Sequence, residues 1–508
     1  MRRILANRYL LALLVVTAVA AEFGLASVSH PAALASPRTP VPARAAVSAA
    51  VRACPAPGSG GSTPAGIALA AASAGTGEAK IARLSPVGSA TAPASLRVLT
   101  QPGQLALVGV PAAPVLGRGL NGGPETTPGS AVPTGPARGG VMIQASGSMA
   151  QGLEAEQTTA GGLATAQCPG PGTQFWFVGP GQKSVADIQL YLMNADSQAA
   201  DATVQILTDS GPVLGSTDSG IGVPPHGLVV QSLAKLLRGS RVIALNVTTS
   251  VGQVAASVLE TTSGSEPGAW LPAAQAPAKS QVLPGVPGTP GQRELYVAVP
   301  GGDNAQVKVT AVTARGSYQP TGGSGIDLPG GSAVAVALPS LGGIPAAIRI
   351  SSNVPVTASL RMPGGAAGAP GAFTAAAAPV QEQGVIAGNP GGSGGSSVLV
   401  LSAPQGAAQV RVAELPTATG PAGAAPRVVQ LAAGHTVVVK LTPPRAGGRG
   451  GRESAFAVVI TPLPGSGPVY AGRVTSLVGV VRSILPVASS LSWVPLPAVR
   501  SSLTTALP

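Results

Sequence analysis

Two glutamates, separated by a single residue, come closest in this chain to a catalytic arrangement. Glu154 and Glu156 fall on one face of a predicted strand, because successive strand side chains point to opposite faces. Glycoside hydrolysis uses two carboxyl groups roughly 5–10 Å apart. A catalytic pair is therefore one interpretation. We favour the other, in which both are exposed residues at the edge of a sheet.

The three histidines do not form a catalytic set. His30 lies near the amino terminus, while His226 and His435 occur in the same turn of two repeated segments, where a third repeat has glycine. A repeated turn explains both residues without catalysis. No Ser-His-Asp set can be argued from the sequence. We therefore predict no catalytic residues.

The acidic residues are too dispersed to predict a metal site. Asp196 and Asp201 flank one loop, and Asp209 and Asp218 flank a turn. We interpret them as solvated turn residues; the alternative is a calcium site at a junction between modules. The glycine-rich run 391–395 lacks the Lys-Ser/Thr of a phosphate-binding loop. The sequence thus predicts no metal and no cofactor.

The basic character of the chain is diffuse. Its net charge is +12, but aromatic residues make up only 3% of it. Nucleic-acid binding needs clustered basic residues with stacking aromatics, so we predict no nucleic-acid partner. The tract Arg445–Arg452 resembles an RNA-binding arginine–glycine segment. We interpret it instead as a solvated loop between strands of the fourth module, and contact with anionic wall polymer or lipid is the alternative.

The only two cysteines, Cys54 and Cys168, are candidates for a disulfide. Each precedes a proline, and each lies just ahead of the first strand of a repeated segment. Two cysteines are too few for a structural zinc site, and outside the membrane a thiol pair can oxidise. The alternative is two free buried thiols.

The amino terminus predicts export. Arg2, Arg3 and Arg8 precede an apolar run from Tyr9 to Ala21, the layout of a secretory signal. Residues 1–35 are then a signal peptide cut after Ala35 or an uncleaved signal-anchor helix that spans with Leu10–Val28. Basic residues at the start would leave the bulk of the chain outside. A buried core helix is the remaining alternative.

Four copies of one segment follow. A turn ahead of a strand recurs at Gly103, Gly227, Gly330 and Gly434, the last three about 103 and 104 residues apart. We predict the following organisation: 36–52, a Pro/Ala-rich tether; 53–160, module 1 with a Pro/Gly-rich insertion; 161–268, module 2; 269–363, module 3; 364–397, a Gly/Ala linker; and 398–508, module 4 with a carboxy-terminal extension.

The fold class predicted is all-β. Residues such as Ile188, Leu190 and Leu192 alternate with period two, which is typical of half-buried antiparallel strands. Segments of about 100 residues with seven short strands fit tandem immunoglobulin-like β-sandwiches. The long repeat favours an array of beads over a propeller. Trp270 and Trp493 are interpreted either as wedges that stiffen junctions or as ordinary core residues.

Several short motifs resemble a known family. Cys168-Pro169, Phe175-Trp176-Phe177 with Gly179, Leu192-Met193-Asn194, Ser257-Val258-Leu259 and Val282-Leu283-Pro284-Gly285 are similar to those of the actinobacterial exported proteins grouped as domain of unknown function 5719. The resemblance covers most of the chain after the leader. It implies location and architecture and supplies no catalytic residues.

These observations predict an exported, non-catalytic structural or binding protein of the cell envelope. It is expected to be extracytoplasmic, secreted or held at the plasma membrane by an uncleaved amino-terminal anchor. The expected partner is a cell-wall polysaccharide or another envelope protein. The alternatives are an accessory subunit of an envelope assembly machine and an enzyme of wall-polymer metabolism.

Overall fold

The computed structural model describes residues 13–24, 44–55, 66–72, 75–86, 95–99, 105–108, 140–158, 165–213, 220–261, 268–339, 341–362, 371–391, 395–416, 425–444, 455–477 and 479–496. Ala46–Trp493 forms one compact unit, and Met1–Ala45 with Val494–Pro508 forms a second. The prediction of an all-β protein is confirmed, since apart from one helix the regular elements of the described residues are strands.

Modules 1 and 2 fill the first half of the larger unit. The strands of module 1 are β2 (Ala49–Cys54), β3 (Ile67–Ala70), β4 (Gly77–Arg83), β5 (Ser85–Pro86), β6 (Ser95–Leu99), β7 (Leu105–Val108), β8 (Val141–Gly147), β9 (Glu154–Thr158) and β10 (Thr165–Gln167); a short β1 (Arg44–Ala46) precedes them. The strands of module 2 are β11 (Gln174–Pro180), β12 (Asp187–Met193), β13 (Ala200–Thr208), β14 (Gly211–Pro212), β15 (Ile221–Val223), β16 (Gly227–Ser232), β17 (Val242–Val251), β18 (Ala255–Thr261) and β19 (Ala269–Leu271).

Modules 3 and 4 fill the second half. The strands of module 3 are β20 (Ala278–Val286), β21 (Arg293–Val299), β22 (Ala305–Thr313), β23 (Gly316–Tyr318), β24 (Ile326–Leu328), β25 (Ser332–Leu338), β26 (Ala346–Met362) and β27 (Ala372–Ala375). The strands of module 4 are β28 (Gly384–Pro390), β29 (Gly395–Ala403), β30 (Ala408–Leu415), β31 (Arg427–Leu431), β32 (His435–Lys440), β33 (Ala455–Pro462), β34 (Tyr470–Leu477) and β35 (Val480–Pro486); β36 (Trp493–Pro495) pairs with β1.

All four modules share one strand topology. In module 4, strands β28-β33-β30-β31 form one sheet, which we call sheet A, and β35-β34-β29-β32 form sheet B. Module 1 repeats this order as β2-β8-β4-β6 and β10-β9-β3-β7, and module 2 as β11-β17-β13-β14 and β19-β18-β12-β16. In module 3, the single strand β26 serves both sheets, because its first half pairs with β20 and β22 and its second half with β21 and β27.

Apolar side chains fill the space between the two sheets of each module. The alternation noted in the sequence is the reason: Leu190 and Leu192 of β12 point into a core that includes Ile206 and Leu245 of the opposite sheet. Equivalent cores lie within modules 1, 3 and 4. Each module is therefore a two-layer β structure with its own hydrophobic centre.

The outer faces of the sheets are also packed, and this closes the modules into a ring. Sheet A of each module lies against sheet B of the next, through Met142 and Tyr191 between modules 1 and 2, for example. Further apolar clusters join module 2 to module 3 and module 3 to module 4. Sheet A of module 4 then packs on sheet B of module 1. Among the described residues, eight sheets thus succeed one another around a closed ring.

The expected array of beads is therefore wrong. Separate beads would expose the outer faces of the sheets. Here the apolar residues on each outer face are buried against the outer face of a neighbouring module. The arrangement is closer to the radial stacking of sheets in a propeller, which leaves few exposed sheet faces and edges. The last strands of neighbouring modules, β10, β19, β27 and β35, contact one another on the inner side of the ring.

The structure also differs from several predicted boundaries, and Thr165–Gln167, assigned to module 2, forms the last strand of module 1. Residues 364–397, expected to be a linker, contain β27, which completes module 3, and β28, which begins module 4. Ala269–Leu271, assigned to module 3, forms the last strand of module 2. Small residues dominate these strands and weaken their periodic pattern, but they pack well where backbones approach closely.

The repeated turn of the sequence is an intermodule contact. The residue immediately before β16, β25 and β32 has positive φ: His226 (48°), Gly331 (68°) and Gly434 (74°), respectively. His226 is thus structurally equivalent to Gly434. The two histidines, His226 and His435, therefore occupy adjacent positions of the turn and not the same one. Its carbonyl accepts a hydrogen bond from Ser85 N of module 1 (2.8 Å), and the Gly434 carbonyl accepts one from Ser317 Oγ of module 3 (2.9 Å).

The smaller unit contains the amino-terminal helix. Residues 13–24 are helical, and their side chains, including Leu13 and Phe23, are exposed. No helix within the described residues is both long and apolar enough to cross a bilayer. The predicted cleavage site after Ala35 and residues 36–43 of the predicted tether lie outside the described residues. The rest of the predicted tether contributes β1 and the first part of β2 instead.

Candidate functional site: a buried carboxylate network at the ring closure

The two glutamates singled out in the sequence lie where module 4 meets module 1. We call this contact the closing seam. Its apolar part consists of small side chains: Ala68 and Ala70 of β3, Val385 and Ala387 of β28, and Ala457 of β33. Strand β9 carries both glutamates and lies between β10 and β3 in sheet B of module 1. Their side chains point out of the module core, towards module 4.

Glu154 is held by four donor atoms. Arg52 donates from Nε (3.2 Å) and Nη2 (2.9 Å), Gln167 donates from Nε2 (3.0 Å), and Ser490 donates from Oγ (2.9 Å). The Glu154 residue is only 2% exposed. Burial acts to lower the pKa of the Arg52 guanidinium, but the adjacent Glu154 carboxylate outweighs it, so that pKa is raised. The Arg52 side chain therefore stays charged in its partly buried position.

Glu156 makes an ion pair across the seam. Arg473 of β34 donates from Nη1 to Glu156 Oε2 at 2.6 Å and also to the Gly388 carbonyl. Arg473 Nη2 lies 3.4 Å from Thr165 Oγ1, which donates to Ser483 Oγ at 2.6 Å. Arg473 is fully buried, and Glu156 is 5% exposed. A charge-assisted bond of this length in a buried place is among the stronger hydrogen bonds in proteins.

The carboxy-terminal segment covers the network. Ser490 N donates to the Gln383 carbonyl (2.8 Å), and Gln383 Nε2 donates to Ser492 Oγ (2.6 Å). Gly152 N, in module 1, donates to the Leu491 carbonyl (3.0 Å). The segment 490–492 is therefore hydrogen-bonded to both modules that meet at the seam.

The expectation that Glu154 and Glu156 are exposed edge residues is wrong. Both are buried, and β9 has a partner on each side. The sequence did not predict the arginine partners of the two glutamates. Arg52 and Arg473 lie 102 and 317 residues from the glutamates that they bind, so no nearby sequence pattern links them. Chemically, the arrangement binds the two modules to each other, because Arg473 pairs with Glu156 and Ser490 donates to Glu154 across the seam.

Cys54 and Cys168 form a disulfide, one of the two alternatives that the sequence leaves open, with Sγ atoms 2.04 Å apart. Both residues are fully buried in the core of module 1. Cys54 ends β2 of sheet A and Cys168 follows β10 of sheet B, so the bond joins the two sheets of the module. Cys168 lies at the end of module 1, not at the start of module 2.

The remaining sequence candidates are not brought together. Asp196 lies in the loop between β12 and β13, Asp201 lies in β13, and Asp209 accepts a hydrogen bond from Arg241 N (2.9 Å). Within the described part of the chain, no three His, Cys, Asp or Glu residues are close enough to hold a metal ion. Asp218, His30 and the tract Arg445–Arg452 lie outside the described residues.

A third buried carboxylate, that of Glu260, makes no hydrogen bond to a positively charged side chain among the described residues. Glu260, near the end of β18, is fully buried, and among the described residues neither of its carboxylate oxygens has a hydrogen-bond partner. Burial raises the pKa of Glu260 to about 7, and the Arg361 charge of module 3 partly opposes this. Arg361 itself lies 3.8 Å from Glu294, which accepts a hydrogen bond from Tyr296 Oη (2.6 Å).

Comparison with known proteins gives one result. A family model described as "Family of unknown function (DUF5719)" matches residues 124–442, more than half of the chain. The match begins ahead of β8 in module 1, covers modules 2 and 3, and ends after β32 of module 4. No curated protein and no solved structure matches the chain.

Proposed function

The chain belongs to the DUF5719 family, a family of unknown function, and we propose that it is an exported protein of the cell envelope that acts as a non-catalytic structural or binding platform. In this proposal residues 1–35 are a signal peptide or a permanent signal anchor, and the ring lies outside the plasma membrane. The four modules are divergent immunoglobulin-like sandwiches, each with its last strand at the ring centre. The partner is a cell-wall polysaccharide or another envelope protein.

The disulfide carries the proposal. Cys54 and Cys168 are bonded in the core of module 1, and the described residues include no free cysteine. Structural disulfides persist in oxidising compartments and are rare in a reducing cytosol. Together with Arg2, Arg3 and Arg8 ahead of an apolar run, this favours a location outside the membrane.

The closed ring supports a platform role. A chain of tandem sandwiches with free faces would bend at its junctions, whereas packed outer faces hold the connecting loops in fixed relative positions. Binding residues are disproportionately found on loops that a rigid scaffold positions. Glu154 and Glu156 do not support the alternative of a wall-polymer hydrolase, because arginine and serine donors occupy their oxygens in a buried seam.

The exposed helix favours the accessory-subunit alternative to a limited extent. Residues 13–24 present apolar side chains on all sides, as a permanent anchor would. Co-purification of the full chain with a membrane enzyme, after mild detergent extraction, would support that alternative over a free wall-binding protein.

The test is fractionation of the native host. We expect the protein in the wall, medium or membrane fraction, with a mature start near Ser36 or an intact amino terminus, and with both cysteines unreactive to thiol reagents until a reductant is added. A cytoplasmic protein with two reactive thiols would overturn the proposal.

A further inference from the structure

One end of module 2 carries a cluster of four basic side chains. Lys235, Arg238 and Arg241 lie between β16 and β17, and Lys183 lies in the turn after β11. Lys183 N donates to the Ser240 carbonyl (2.9 Å), which holds the two turns side by side. All four basic residues are exposed. We call this surface the basic patch.

The patch is pre-organised rather than loose. Leu233 and Leu237 are buried in the module core and anchor the longer turn from below. Leu237 N donates to the Leu233 carbonyl (3.0 Å), and Ser240 Oγ donates to the Leu237 carbonyl (2.7 Å). Ordered backbone reduces the entropy lost when a surface binds a partner.

The positive charge of the patch is largely uncompensated. Within the described residues, none of its four basic side chains takes part in an ion pair, although ion pairs form elsewhere in the ring. Two carboxylates are hydrogen-bonded to this end of module 2: Asp209 accepts from Arg241 N (2.9 Å), and Asp187 accepts from Ser232 Oγ at the end of β16 (2.8 Å). Four cations against two such carboxylates leave a positive excess.

An apolar residue lies in the middle of the patch. Leu236 follows Lys235 directly and is 40% exposed, while both neighbouring leucines of the turn are buried. Basic residues around an exposed apolar side chain are typical of surfaces that lie at a membrane interface, where the apolar group enters below the headgroups. A soluble anionic polymer would need the cations but gain nothing from the leucine.

We propose that the basic patch docks the ring onto the anionic headgroups of a lipid bilayer. Lys183, Lys235, Arg238 and Arg241 contact the lipid phosphates, and Leu236 inserts at the level of the glycerol. A basic residue near an anionic surface contributes about 1 kcal/mol, so each neutralised charge weakens binding roughly fivefold. The contact would orient the ring on the membrane with this end of module 2 facing the lipid.

Vesicle flotation of the full chain tests the proposal. The vesicles are phosphatidylcholine alone or phosphatidylcholine mixed with phosphatidylglycerol. The test variant carries K183Q, K235Q, R238Q and R241Q; the matched control carries K279Q, K308Q, R315Q and R411Q, four exposed basic residues elsewhere in the ring. Both have the same net charge, so a difference between them reports position.

We expect the wild type and the control to bind phosphatidylglycerol vesicles more tightly than neutral ones, and the test variant to lose that preference. Equal binding of both variants would overturn the proposal and leave the amino-terminal helix as the membrane contact. L236S is expected to weaken vesicle binding and leave binding of a soluble poly(glycerol phosphate) unchanged. A patch that binds this polymer and not vesicles, with no effect of L236S, would instead identify a wall polymer as the partner.

The inference rests on the proposed extracytoplasmic location only for its biological setting. Vesicle binding is measured on the purified chain, so its failure would leave the proposed location intact. Conversely, a cytoplasmic location in the host would not alter a measured lipid preference.

Discussion

The Arg473 guanidinium reaches across the closing seam to Glu156, and the two residues are 317 positions apart in the chain. Both are buried, and the donor–acceptor distance is 2.6 Å. The pair joins the last module to the first, so it contributes stability only when the whole ring is formed. A contact of this kind links the folding of the four modules to each other.

Removing Arg473 should strongly destabilise the ring. R473M leaves Glu156 buried and uncompensated, which typically costs about 3–5 kcal/mol. The measurement is thermal unfolding at neutral pH. The double variant R473M/E156L should recover most of the loss, since a buried ion pair can often be replaced by apolar residues at little cost.

A surface ion pair provides the control for that experiment. Lys80 and Glu78 lie 3.1 Å apart, but their side chains are 59% and 45% exposed. K80Q should therefore change stability by no more than about 1 kcal/mol. If R473M were as mild as K80Q, the seam would not depend on the ion pair.

Local features of the fold could be predicted from the sequence, and long-range ones could not. Alternation around Leu190 indicates a strand whatever its partners are, and the repeated turn before β16, β25 and β32 marks a repeated unit. Packing of Ala387 against Ala68 has no such signal, because small residues suit a linker equally well. The closed ring and the pairing of Glu156 with Arg473 both depend on such contacts.

Glu260 should make stability fall as the pH rises. Its pKa is about 7 in the folded protein, above the ordinary value of 4.5 for a glutamate, so the folded state retains a proton that the unfolded state has lost. The contribution of Glu260 to the free energy of unfolding is therefore largest below about pH 4.5. It decreases as the pH rises through about 7, by on the order of 3 kcal/mol. E260Q should flatten this part of the profile of unfolding midpoint against pH. A profile unchanged by E260Q would contradict the assignment.

Loss of the disulfide should destabilise module 1. The bond closes a segment with a sequence separation of 114, and a cross-link of this kind contributes about 2–5 kcal/mol, chiefly by restricting the unfolded chain. The double variant C54S/C168S should unfold at a lower temperature than the wild type. Reductant should lower the unfolding temperature of the wild type and leave that of the double variant unchanged. A wild-type midpoint insensitive to complete reduction would rule out a stabilising role.

A single added methyl group should disturb the contact between modules 3 and 4. Gly472 of β34 lies against Gly285 of β20, and a Cβ at Gly472 would come within 2.5 Å of Gly285 Cα, closer than real Cβ contacts occur. Because both atoms belong to backbone, no side-chain rotation can relieve the overlap, and G472A should cost about 1–3 kcal/mol. Gly301, in an exposed turn, has no atom within 4 Å of the place that a Cβ would occupy, so G301A is the matched control and should be nearly neutral. Equal unfolding midpoints for the two variants would mean that the strands of neighbouring modules are not held at this distance.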